Sequence, residues 1–188
     1  MPVPDFSPGE VLTAAAMDSI GLWRVASGPL STAGTNFVGC FTSNYTNYRI
    51  VVDSPQTSAN ADIYVQMLSG STAQSTGGNY TWAMAGLDST AVNANSAASS
   101  QNFAFTGFTS ISAANIIIGA FSFDIYGPQL AQRTFMTYTS TAYSGTAWIG
   151  RNGMAQHNLT TAYDGIRFLT NSAATMGGNV TIYGYRKP

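Results

Sequence analysis

The acidic residues are the first candidates for chemistry, because two carboxylates held at a set distance can hydrolyse a glycosidic bond. They are scattered along the chain and form no close pair in the sequence. Only folding could bring two of them together, and Asp124 and Asp164 are the candidates for such a pair. The dispersal argues against a polysaccharide depolymerase. The acidic residues are Asp5, Glu10, Asp18, Asp53, Asp62, Asp88, Asp124 and Asp164.

The single histidine and the single cysteine add no catalytic motif. His157 lies in the polar stretch 154–161 without a histidine or cysteine companion, so we expect a solvated loop residue and no zinc site. Cys40 lies in the apolar stretch 37–41, which predicts a buried, unreactive thiol. A glycine-rich phosphate loop followed by Lys-Ser or Lys-Thr does not occur. The sequence therefore predicts no catalytic residue, no metal and no cofactor.

Tyrosine and tryptophan residues beside polar stretches are the remaining candidates for binding. Each ring offers an apolar face and a polar tip, so it can stack on a sugar ring or contact another protein. Alternatively, these rings close the ends of a β-sandwich and bind nothing. If a ligand or host-contact surface exists, its residues are Trp82, Tyr143, Trp148 and Tyr163.

The composition limits the class of protein. Charged residues make up 8% of the 188 residues and the formal net charge is −1, which excludes a strongly basic nucleic-acid surface. Aromatic residues at 12% are enough to build a core. The longest apolar run, 116–121, is too short to span a bilayer, and the N-terminus does not resemble a secretory signal. We expect a protein made in the cytoplasm, without membrane insertion, whose surface is covered by neighbours in an assembly.

The elements that must position these residues are strands. Short stretches with apolar residues at every second position alternate with clusters of Gly, Ser, Asn, Thr and Pro. No helical pattern separates the stretches, which favours an all-β, antiparallel, jelly-roll-like sandwich over residues 26–188. The predicted strands are 22–26, 37–41, 48–53, 62–68, 80–84, 102–108, 115–126, 133–139, 146–151, 165–170 and 179–185.

The last two predicted strands are separated by a loop rich in Ser, Ala and Gly, and we interpret them as a closing hairpin. Ile166 and Phe168 share one face of the first strand, and Val180 and Ile182 share one face of the second. Period-2 patterns of this kind are typical of half-buried strands. These four residues are therefore predicted core residues.

Residues 1–25 differ from the rest of the chain. Ser7, followed by Pro8 and Glu10, fits a capping box, and Thr13 is a second candidate N-cap. A short helix is predicted to end near Gly21. It either covers an edge of the sheet or serves as a docking segment for a larger body. The residues predicted to dock are Phe6, Pro8, Val11, Leu12, Met17 and Ile20.

Three stretches resemble virion proteins of tailed bacteriophages. The opening 6–14, FSPGEVLTA, resembles an N-terminal motif of tail fibres, and 41–50, FTSNYTNYRI, resembles the approach to a jelly roll in small phage proteins. The closing Ile-Arg-Phe and Val-Thr-Ile-Tyr-Gly strands are similar to the same kind of protein. The resemblance implies a non-enzymatic, usually trimeric virion protein with an N-terminal anchor. Unlike long fibres, this chain has no extended shaft.

The leading hypothesis is a short tail fibre or tail appendage that takes part in host attachment. The alternatives are a capsid decoration or head fibre, a neck adaptor, and a carbohydrate-binding tip that recognises host surface polysaccharide. The expected partners are tail, neck or capsid proteins and further copies of the chain in a homotrimer, but no nucleic acid. The expected location is the virion.

Overall fold

Antiparallel strands build the whole of the described chain. A computed structural model describes residues 21–32, 34–88, 91–101, 103–110, 118–143 and 148–186, and no helix occurs among them. The predicted helix and its docking residues Phe6, Pro8, Val11, Leu12, Met17 and Ile20 lie outside the described residues. The strands are β1 (Leu22–Pro29), β2 (Gly34–Phe37), β3 (Tyr45–Thr57), β4 (Ala61–Ser69), β5 (Thr72–Ala73), β6 (Tyr80–Asp88), β7 (Ala91–Gln101), β8 (Ala104–Ser110), β9 (Ile118–Tyr126), β10 (Thr134–Tyr143), β11 (Trp148–His157), β12 (Gly165–Thr170) and β13 (Met176–Arg186).

The strands form two sheets packed as a sandwich. An eight-stranded sheet has the order β1-β13-β3-β9-β10-β11-β6-β7, and a five-stranded sheet has the order β2-β12-β4-β5, with β8 also paired to β4. Every pairing is antiparallel. The predicted all-β antiparallel sandwich is thus confirmed. Because β1 begins at Leu22, residues 22–25 belong to the larger sheet.

The core lies between the facing sides of the two sheets, where apolar residues recur at every second position. The larger sheet contributes Phe121, Phe123 and Ile125 from β9, and the smaller sheet contributes residues such as Met67. The rings of Phe123 and Phe168 meet across the interface with centroids 6.2 Å apart. Clean alternation in the sequence therefore identified the inward faces of β4 and β9 correctly.

The last two strands do not form the predicted hairpin. β12 pairs with β2 and β4 in the smaller sheet, whereas β13 pairs with β1 and β3 in the larger sheet. The connection between them crosses the sandwich, because each strand must place its apolar face on the same core from opposite sides. The core prediction is nevertheless confirmed, since Ile166, Phe168, Val180 and Ile182 are all fully buried.

Many strand boundaries differ from the prediction, and β3, β6 and β10 are each longer than expected. β7 occupies much of the stretch 87–100 that was expected to be a loop, and β11 continues to His157 through a second expected loop. The stretch 37–41 is not a strand, because β2 ends at Phe37. Cys40 is nevertheless buried as predicted, and its pKa is raised to about 12 by loss of solvation.

A tyrosine hydroxyl joins the two sheets at a gap in the smaller one. β8 and β5 pair with different parts of the same side of β4, which leaves the Met67 amide between them without a strand partner. The buried Tyr80 of β6 reaches across, accepts a hydrogen bond from Met67 N at 2.9 Å and donates one to Gln74 O at 3.0 Å. This hydroxyl satisfies two backbone groups that the sheet itself leaves unpaired.

Candidate functional site

The outer face of the larger sheet, which points away from the smaller sheet, extends across eight paired strands. Its residues follow from alternation, because Tyr138 and Ala142 of β10 are buried while Phe135, Thr137 and Thr139 point outward. Side chains directly opposite each other on paired strands share a face. The strand register therefore arranges the outer face in rows that run across the eight strands.

One of these rows combines arginine, tyrosine and a carboxylate. Arg24 of β1 lies opposite Tyr183 of β13, Tyr183 lies opposite Arg49 of β3, and Arg49 lies opposite Asp124 of β9. The row continues through Thr137 of β10. We refer to Arg24, Tyr183, Arg49 and Asp124 as the arginine-tyrosine row.

A hydrogen-bond network fixes the centre of this row. Tyr185, two residues along β13 on the same face, donates its hydroxyl to Asp124 Oδ1 at 2.5 Å. Arg49 Nη1 donates to Asp124 Oδ2 at 3.4 Å. The Tyr185 hydrogen bond and the charge of Asp124 raise the pKa of the Arg49 guanidinium. Burial and the neighbouring carboxylate raise the pKa of Tyr185 in turn, so Tyr185 remains a neutral donor.

Two depressions lie on the outer face beside the row. The first has a volume of about 250 Å³ and lies over β3, β9 and β10, where Arg49, Ser122, Thr139 and Thr141 line it. The second, of about 380 Å³, lies farther across the sheet beside the exposed Phe135 and Met154 side chains, and it is predominantly apolar. The first depression offers hydroxyl groups next to an arginine, whereas the second offers apolar contact.

Two of the predicted ligand-contact residues come together at the far end of the same face. Tyr143 and Trp148 are cross-strand partners on β10 and β11, and their rings are in contact, tilted by 35° with centroids 4.5 Å apart. Trp148 is 70% exposed. These two rings form an accessible aromatic platform, and a role for it in ligand contact stays a prediction.

The other two predicted contact residues do not join the platform. Tyr163 is only 2% exposed, so it belongs to the core and has no surface for a ligand. Trp82 points inward from β6, opposite the buried Ala155, and packs against the core. Proximity to polar stretches in the sequence did not distinguish these inward-facing rings from outward-facing ones.

No known protein family matches the sequence, and no curated protein is similar to it. The site must therefore be judged from its own chemistry. Among the described residues, no group of three or more histidine, cysteine or carboxylate side chains could hold a metal ion. Within those same ranges, no helix is long and apolar enough to cross a membrane.

The prediction that His157 is a solvated loop residue is wrong. The side chain ends β11 on its inward side and is fully buried, in edge-to-face contact with the rings of Tyr80 and Tyr163. Its Nδ1 atom lies 3.3 Å from the Tyr163 hydroxyl. Loss of solvation lowers the pKa of His157 to about 4, so the imidazole is neutral at pH 7. It serves as a packing residue within an aromatic cluster.

Three of the described carboxylates, including both candidates for a catalytic pair, have separate partners. Asp124 bonds to Arg49 and Tyr185, while Asp164, the other candidate for a carboxylate pair, accepts a hydrogen bond from Gly70 N at 2.9 Å. Asp88 forms an ion pair with the buried Arg151 at 3.1 Å. Each of these three carboxylates therefore contacts a different part of the fold, and none of the contacts joins two carboxylates.

Proposed function

We propose that the chain is a non-enzymatic structural protein of a tailed-phage particle, a short tail fibre or tail appendage. Residues 1–21, the part of the predicted 1–25 docking segment that precedes β1, would dock to the particle. The sandwich, which we propose to be of the jelly-roll type, would project and take part in host attachment. The observation that carries the proposal is the outer face of the eight-stranded sheet. It spans eight strands, carries few charged residues and presents exposed aromatic rings such as Phe135 and Trp148, which suits a surface that binds other molecules by direct contact.

The distribution of charge supports a place within an assembly. With a net charge of −1, an isolated chain has little electrostatic repulsion to keep copies apart. We propose a homotrimer in the virion, in contact with tail, neck or capsid proteins, because closed symmetry is the usual outcome for identical subunits. Mass photometry of the purified chain tests the trimer: a monomer at micromolar concentration would contradict it.

Deletion of residues 1–21 tests the docking role. The deletion ends immediately before β1, so the truncated chain keeps every strand among the described residues and is expected to retain its thermal midpoint within about 2 °C. It should no longer copurify with phage particles. Deletion of residues 1–5 is the matched control, because it removes none of the predicted docking residues. Incorporation of the 1–21 deletion at the normal level would refute the anchor.

A carbohydrate-binding tip is the second candidate, and the adjacent, exposed pair of Tyr143 and Trp148 rings favours it. Trp148→Ala should reduce adsorption to host cells if this platform binds sugar, whereas unchanged adsorption and no signal on host glycans would remove the candidate. Immunogold electron microscopy separates tail attachment from capsid decoration, head fibre or neck positions, since each predicts label at a different part of the particle.

A further inference from the structure

The arginine-tyrosine row carries more positive charge than the rest of the outer face. Arg24 is exposed and takes part in no ion pair among the described residues, whereas Arg49 shares the single carboxylate of Asp124 with Tyr185. Two guanidinium groups are thus balanced by one carboxylate. Asp53 of β3 is exposed on the same face but lies four residues along the strand from Arg49. The described outward positions of β10 and β11 are uncharged hydroxyl, amide and apolar side chains.

The register places the two arginines on either side of one aromatic ring. Arg24 and Arg49 lie opposite Tyr183 on its two neighbouring strands, and adjacent strands are about 4.8 Å apart. Tyr183 is partly exposed on the outer face. A sugar ring bound on Tyr183 would therefore have one guanidinium group on each side, from Arg24 and from Arg49.

We infer that the arginine-tyrosine row binds an acidic sugar of a host surface polysaccharide. The pyranose ring packs on Tyr183, and its carboxylate meets the Arg24 guanidinium, whose planar donors suit a carboxylate. Asp124 accepts hydrogen bonds from sugar hydroxyls. The inference rests on the proposed role in host attachment, for which it names the ligand class and the residues.

The neighbouring depression extends this site along the sheet. It begins at Arg49 and continues over Ser122, Thr139 and Thr141, with Val51 and Ala120 also in its lining. The next sugars of a chain would meet hydroxyl groups that can accept hydrogen bonds, although the Thr139 hydroxyl already donates to Asn152 Oδ1.

A protein partner would instead need an apolar anchor at the centre of its interface. The exposed apolar residues Phe135 and Met154 lie on β10 and β11, separated from Tyr183 by two and three intervening strands. Leu22 and Tyr126 are also exposed and lie nearer, at the edge of the arginine-tyrosine row, but neither lies opposite Tyr183.

The test compares binding of oligogalacturonate with binding of neutral galactose oligomers of equal length, measured by calorimetry on the purified full chain. The acidic oligomer should bind more tightly, and added salt should weaken its binding. Tyr183→Ala should weaken binding of the acidic oligomer and of the neutral oligomer by about tenfold each, equal to about 1.4 kcal/mol. Arg24→Gln should weaken only the acidic one, by a similar factor. Ser27→Ala, an exposed change on the same strand, is the matched control and should alter neither.

Several outcomes would overturn the inference. They are failure of both oligomers to bind, equal affinity for both, or loss of binding in Trp148→Ala with no effect of Tyr183→Ala. A change of oligomeric state in Tyr183→Ala would show that a second copy covers the row. Incorporation into particles is measured separately for each variant. If the chain is absent from particles but binds the acidic oligomer, the proposed function fails and the binding site stands.

Discussion

Replacement of His157 should remove most of the pH dependence of folding stability between pH 7.5 and pH 5. The folded pKa is about 4 against an ordinary value of 6.5, because burial disfavours the imidazolium. The unfolded chain therefore takes up a proton as the pH falls through 6.5, whereas the folded chain does not. The contribution of His157 to the free energy of unfolding is fully present above pH 6.5 and is lost progressively down to pH 4.

The magnitude follows from the size of the pKa shift. One pKa unit corresponds to about 1.4 kcal/mol, so the free energy of unfolding should fall by about 2 kcal/mol between pH 7.5 and pH 5. His157 is the only histidine, so no other side chain with an ordinary pKa near 6.5 contributes in this range. The titratable groups facing it, Tyr80 and Tyr163, both have pKa values raised by burial and stay neutral.

Urea unfolding followed by tryptophan fluorescence at pH 7.5, 6.5, 5.5 and 5.0 measures this effect. His157→Gln keeps a polar partner for the Tyr163 hydroxyl, and His157→Phe keeps a ring between Tyr80 and Tyr163. Both variants should be less stable at pH 7.5 but nearly flat across the series. A wild-type slope in both variants would refute the assignment, because the proton would then bind elsewhere.

Three further substitutions test contacts inside the sandwich. Tyr80→Phe should lower the free energy of unfolding by roughly 2–3 kcal/mol in urea titrations, because the Met67 amide and a loop carbonyl lose their partner. Asp88→Asn should cost on the order of 2 kcal/mol in the same assay, less than a fully buried pair, because Asp88 keeps contact with water beside Arg151. Gly107→Ala should lower the thermal midpoint by several degrees, since its φ of 79° strains any other residue by about 1–3 kcal/mol; an unchanged midpoint would contradict the backbone assignment.

The fold class was predictable from the sequence because the central strands alternate strongly. In β9, Phe121, Phe123 and Ile125 are separated by Ser122 and Asp124, and burial follows this pattern residue by residue. A strand buried on one face must show such a pattern, since its period is two. Propensity and tertiary structure agree at these positions.

The strands that the sequence analysis missed lack this contrast. β7 is an edge strand, AVNANSAASSQ, and its pairing with β6 holds it in place. Its Ala, Asn and Ser residues do not alternate between apolar and polar, so its sequence resembles that of a loop. In β11 the period-two pattern does extend to the end of the strand. Continuing the period of two from Ile149 through Arg151 and Ala155 places His157 on the inward face.

Sheet membership could not be predicted from local patterns, and the arginine-tyrosine row depends on it. Ala26 and Leu30 face inward and fix the register of the second half of β1 against β13. Unbroken alternation from there would turn Arg24 inward. The register instead shifts by one residue between Arg24 and Ala26, and such a bulge re-aims the side chains before it. Arg24 thereby joins Tyr183 on the outer face, so the proposed acidic-sugar site depends on this one irregularity in β1.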